Sequence, residues 1–69
     1  MTLNINRVDS FDFEELRFVA MLSAWQNRLK VFDWCAKFDR RRRIGEVCIK
    51  GTRRGHTVTI RTPIYMRTA

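Results

Sequence analysis

Near its start the chain alternates: Leu3 and Ile5 sit between Thr2, Asn4 and Asn6. This period of two predicts a short strand over residues 2–8 with one buried face. From Phe13 to Phe38 neither Gly nor Pro interrupts, and Phe18, Leu22, Trp25, Leu29, Phe32 and Ala36 recur at 4-3-4-3-4 spacing. That spacing predicts a long amphipathic helix with this stripe facing the core. A break near Gln26-Asn27 would divide it into two shorter helices. Asp9, Ser10 and Asp12 each offer an N-cap, and Asp12 with Glu15 three residues on makes a capping-box-like pair. Glu14 and Glu15 also suit the positive end of the helix dipole.

The expected helix carries a second apolar side. Val31, Trp34 and Phe38 lie opposite the main stripe, with Leu16 and Ala20 further up. A helix packed once against a sheet is polar there, so this side either packs against the rest of the chain or meets a partner, with Val31, Trp34 and Phe38 as interface anchors for a second copy or a foreign protein.

Alternation returns after Ile44. Val47 and Ile49 share one face, and Glu46, Cys48 and Lys50 the other. Gly51-Thr52-Arg53-Arg54-Gly55 is a turn. From His56 to Thr62, Val58 and Ile60 point inward while Thr57, Thr59 and Arg61 point outward. Together these segments predict a β-hairpin with Arg53 and Arg54 at its tip. Pro63 ends the second strand or places it at an edge. Ile64, Tyr65 and Met66 continue it or tuck under the helix.

The pattern as a whole predicts an α+β domain, β-α-β-β, with one long helix on one face of a small three-stranded sheet. A helix running from Phe13 to Phe38 spans about 39 Å, whereas a seven-residue strand spans about 23 Å. The helix therefore overhangs the sheet, breaks, or is covered by a second subunit. Homodimerisation accounts for that excess and for the second apolar side together.

Length and composition narrow the classes. With 69 residues and 45% hydrophobic content, the chain is globular in composition and allows one domain. A multidomain enzyme, a repeat array and a dinucleotide-binding fold all need more chain. Met1 to Ser10 contains no apolar signal region, and Phe18 to Leu22, the longest apolar run, is far too short to span a membrane. Two cysteines, Cys35 and Cys48, do not make a disulfide framework. The expectation is a cytoplasmic protein with reduced thiols and no membrane association.

Charge changes the picture most. Residues 1–36 carry four cations against five anions, and residues 37–69 carry ten against two, so the net +7 lies wholly in the C-terminal half. Eleven of the fourteen cations are Arg, which pairs bidentately with phosphate or carboxylate. The catalytic inventory is thin by comparison. There is one histidine, His56, and alternation turns it away from Cys48. No Gly-rich phosphate loop, HExxH or paired-carboxylate pattern occurs, and Cys35, Cys48 and His56 match the spacing of no common zinc module. No enzyme activity, metal, cofactor or small-molecule substrate is expected.

The candidate site is the basic hairpin: Arg40, Arg41, Arg42 and Arg43 entering it, Lys50, Arg53 and Arg54 near its tip, and Arg61 on its outer face. A ribbon of this kind fits a major groove, and clustered arginines attract phosphates. No outward aromatic platform for single-stranded bases is evident unless Tyr65 supplies one. The leading expectation is a small basic regulatory protein that contacts DNA or RNA through these residues. The alternative is an inhibitor or adaptor that covers an acidic protein surface with its arginines plus Trp34 and Phe38. Small size and lopsided charge are typical of proteins encoded by phages and mobile elements.

Overall fold

The helix begins where the caps predict. In the computed structural model, which describes residues 7–67, α1 spans Phe13–Gln26 with Asp12 as its N-cap. The Glu15 amide donates to Asp12 Oδ1 at 2.8 Å. The Glu15 carboxylate reaches back to accept from the amides of Asp9 (2.6 Å) and Ser10 (3.0 Å). Phe11 just before the cap and Leu16 at the end of the first turn are both buried, the arrangement of a hydrophobic staple.

The end of the helix departs from expectation. Arg28 lies in the left-handed region at φ 53°. Its amide donates to Trp25 O (3.1 Å), and the Leu29 amide donates to Ala24 O (2.9 Å). This is the Schellman pattern, with arginine at the position where glycine is usual. Leu29 then turns inward and is buried. So α1 is one 14-residue helix, and the segment expected to prolong it is strand β2, Lys30–Asp39.

Strands β1 (Arg7–Val8), β3 (Ile44–Arg53) and β4 (His56–Met66) complete a four-stranded sheet in the order β1-β4-β3-β2. β1 runs parallel to β4, and the other pairings are antiparallel. The expected α+β class, one helix on one face of a small sheet, is what the chain adopts. It has one strand more and a helix about half as long. Residues 2–6 of the expected first strand lie outside the described residues.

Register fixes the two faces. Trp34, Ile49 and Ile60 form one row, Ala36, Val47 and Thr62 the next, and Phe38, Gly45 and Ile64 the third. These rows face α1, whose Leu16, Val19, Ala20, Ser23 and Ala24 are buried. Val47 and Ile49 are essentially inaccessible, as the period-two alternation predicts, and so is Ile64. Gly51 lies on the same face, where a β-carbon would come within 2.7 Å of Leu29 Cγ. The side chain missing there lets the helix's exit loop settle on β3.

Two other expectations change. Phe18, Trp25 and Phe32 are exposed, with Trp25 74% accessible, so half of the predicted core stripe faces outward. The reason is local. The buried residues at 16, 19, 20, 23 and 24 make the true inner stripe, and residues 18, 21 and 25 lie on the opposite side of the helix. Pro63 does not end β4, which runs through it to Met66, and among the described residues β1 pairs with β4 at Tyr65 and Met66, past the proline. The β3–β4 turn places Arg54 and Gly55 both at positive φ (54° and 80°), the type I′ pattern that closes a hairpin on a hydrogen-bonded pair, Arg53 and His56. Counting by alternation, Glu46–Pro63 is then a non-hydrogen-bonded pair, and the proline removes no bond to β3.

Two predictions follow from this packing. The hydroxyls of Ser23 and Thr62 meet at 3.1 Å inside the core, so Thr62→Val alone should cost about 1–3 kcal/mol by orphaning Ser23, whereas Ser23→Ala with Thr62→Val should recover most of it. Urea midpoints at constant slope measure both. Equal losses in the single and double variants would show that the pair does not act as a unit. Second, hydrogen bonds from Ser10 Oγ, and then from the Glu15 and Glu14 amides, hold the Asp12 carboxyl below its ordinary 3.8. The stability this adds is present in full above that value and is lost as pH falls through the lowered one. Asp12→Asn should flatten this part of the acid limb of a Tm-versus-pH curve. An unchanged limb would mean that Asp12 does not contribute to it.

Candidate nucleic-acid interface

The arginines expected to form one basic hairpin occupy two ends of the sheet. Arg40–Arg43 make the β2–β3 turn, and Arg53 and Arg54 sit at the β3–β4 turn. β3 runs the whole way between them, and its ten residues separate the ends by about 30 Å.

At the first end, Asp39 organises the turn. Its Oδ1 accepts from the amides of Arg41 (3.0 Å) and Arg42 (3.2 Å), and its Oδ2 lies 3.8 Å from Arg42 Nε. Such local carboxylate-to-amide bonds favour a turn over continued strand. Arg40 lies over the Phe38 ring at 5.1 Å. Arg43, at φ 59°, gives its carbonyl to the Met66 amide. Part of this run is therefore engaged by its own turn, and all four residues are exposed.

Lys50 and Arg61 lie between the two ends on the open face of the sheet, and acids accompany them. Lys50 is opposite Asp33, and Arg61 Nε lies 4.0 Å from Glu46. Lys37 pairs across to Glu46, and Asp39 stands at the end of β2. This face is mixed in charge rather than basic. Cys35 and Cys48 face each other across β2 and β3 in the row that includes Arg61, and both are free thiols.

The second end is different. Arg53 Nη1 donates to Asn27 O at 3.0 Å, tying the hairpin tip to the exit loop of the helix. An open cleft of about 830 Å³ forms there, lined by Gln26, Asn27, Arg28, Lys30, Thr52, Arg53 and Arg54. Four of these seven residues are cations and none is an acid. Among the described residues none of the four takes part in an ion pair. Gln26, Asn27 and Thr52 add neutral polar groups, so the cleft offers anions both charge and hydrogen bonds.

Arg28 and Lys30 were not among the expected site residues. Read as mid-helix positions in the acidic half of the chain, they had no link to residues 53 and 54. The signal that places them is the alternation of Trp34, Ala36 and Phe38 with Asp33, Cys35, Lys37 and Asp39. It marks a strand, and so a reversal of the chain before Lys30.

The expected interface anchors also sit elsewhere than a helix would put them. Val31 and Trp34 pack against the core, with Trp34 5.4 Å from the Phe13 ring. Phe38, half exposed, stacks on buried Phe11 at 5.0 Å. As strand residues they turn toward α1, and among the described residues Phe13, Phe18, Met21, Trp25, Phe32, Ile44 and Tyr65 are, with half-exposed Phe38, the large apolar side chains left accessible. Among the described residues no three histidine, cysteine or acidic side chains cluster as a metal site would require, and no helix is long and apolar enough to cross a membrane. No protein-family model matches the chain, and no curated protein or solved structure matches it either.

Proposed function

We propose that this protein is a small nucleic-acid-binding module that grips phosphates in the cleft between the hairpin tip and the helix exit. The observation that supports the reading is the meeting of Arg28, Lys30, Arg53 and Arg54 around one cavity without an acidic neighbour among its lining residues. Four cations held apart by the fold repel one another, and a polyanion that threads between them relieves the repulsion while releasing its own counterions. Arg53 opens the type I′ turn and Arg54 is its first central residue, so the backbone of both is preorganised and little order is lost on binding. Arg28 is fixed by the Schellman hydrogen bonds and Lys30 by strand pairing to Thr52. Arg40–Arg43, about 30 Å away, form a second and independent contact that lengthens the footprint without shaping the cleft.

The test is fluorescence anisotropy with labelled oligonucleotides over about 50 to 200 mM salt. Binding should weaken steeply with salt, and Arg53→Ala with Arg54→Ala should reduce the slope of log K against log salt by about 1.5–2 units, near one per lost phosphate contact. Arg28→Ala should act in the same direction by about half as much. Salt-independent binding, or a slope that the tip variants leave intact, would count against the cleft. If no nucleic acid bound at low salt, the same cations would be left to an acidic protein surface.

A further inference from the structure

The outward side of α1 adjoins the cleft, and its composition is unusual for a solvated helix face. Phe18, Met21 and Trp25 follow one another at 3- and 4-residue intervals, directly opposite the buried stripe. Phe18 is 62% and Trp25 74% accessible. Trp25 also lines a second open cleft with Arg28 and Lys30, two of the four cations of the phosphate cleft. An indole face and a set of guanidinium and ammonium groups therefore share one rim. Phe18 stands seven residues up the same stripe, about 10 Å along the helix axis. Arg17 flanks the stripe on one side. Glu14 closes its far end with negative charge.

We infer that the ligand of this site is single-stranded nucleic acid, whose phosphates enter the cleft while an unpaired base stacks on Trp25 and the strand continues toward Phe18. The inference rests on the phosphate-binding reading above and names its substrate class. Charge and aromatic surface divide the work. Cations alone hold any polyanion, duplex included, whereas an exposed ring beside them stabilises only bases that have left a stack. A duplex presents its bases edge-on inside the grooves and offers Trp25 nothing to cover. Tryptophan has no sequence preference among π-faces, so DNA and RNA strands are both accommodated. The acidic first turn of α1 sets the polarity of the track: phosphates are drawn to the Arg28 end and repelled from the Glu14 end.

The experiment compares labelled oligothymidylate and oligouridylate of about 12 nucleotides with a duplex of the same length. The single strands should bind at least about tenfold more tightly than the duplex. Trp25→Ala, at an exposed position that leaves the fold intact by circular dichroism, should weaken the single strands by about tenfold and the duplex hardly at all. The salt slope should stay the same, because no cation is removed. Trp25→Phe, which keeps a ring, should restore most of the affinity. Equal binding of single strand and duplex with no effect of Trp25→Ala would overturn the inference while leaving phosphate capture by the arginines standing. Absence of binding by every oligonucleotide at low salt would remove the phosphate reading and this one with it. Sedimentation velocity supplies a further check: a dimer that Trp25→Ala converts to monomer, with oligonucleotide affinity unchanged, would make the stripe a self-association surface and overturn the inference.

Discussion

The fold turns on how the helix stops. Residues 24 to 29 form a Schellman motif in which Arg28 takes the left-handed conformation, at some steric cost for a residue with a β-carbon. What offsets that cost is on both sides of it: the amides of Arg28 and Leu29 satisfy carbonyls that the helix end would otherwise leave open, Asn27 Nδ2 donates to Ser23 O at 2.7 Å, and Leu29 is buried against the bare surface of Gly51. Had the helix continued, Lys30 to Asp39 would have no partner in β3, and the sheet would lose an edge strand of ten residues. Because it stops, the chain reverses, β2 pairs along β3, and Arg28 and Lys30 arrive beside the tip of the β3–β4 hairpin.

Much of this was legible in the sequence, and the part that was not has a definite cause. The N-cap at Asp12, the alternation of Val47 and Ile49, the hairpin tip at Arg53 and Arg54 and the inward Val58 and Ile60 all rest on signals that act locally, so each is readable from a few residues, although the turn is tighter than Gly51 to Gly55 because β3 runs on to Arg53. The stop at Asn27 rests on Arg28 adopting a backbone conformation for which glycine is the usual marker. Without that marker, apolar residues at 18, 22, 25, 29 and 32 fit a helical repeat that carries on to Phe38. The true inner stripe includes Ala20, Ser23 and Ala24, small residues that allow the helix to approach the sheet closely and add little to a hydrophobic pattern. Bulky outward residues outweigh small inward ones in the pattern, which therefore points to the side of the helix opposite the buried one.

The unmarked helix stop also conceals half of the candidate site in the sequence. The lopsided charge was visible at once, and so was the position of Arg53 and Arg54 at a hairpin tip. Their partners lie in the acidic half of the chain, and only the reversal after Arg28 brings them across. Conversely, Arg40–Arg43 are adjacent in sequence but lie a full strand's length from the tip, and Asp39 and Phe38 already engage part of that turn. Lys50 and Arg61, also expected at the site, share the open face with Asp33 and Glu46. Density of charge along the chain was thus a poor guide to density of charge in space. Among the described residues four cations converge at the cleft with no anion in its lining, and Trp25 beside it adds an exposed indole to the same rim.

The most direct measurement is a titration of the 15N-labelled protein with oligothymidylate, followed amide by amide in 1H–15N spectra. If the cleft assembled by the helix stop is the phosphate site, the largest shifts fall on Arg28 to Lys30 and on Thr52 to Gly55, two segments far apart in sequence that move together at one saturation point. Shifts concentrated on Arg40 to Arg43, with the hairpin tip and the helix exit unmoved, would contradict the account.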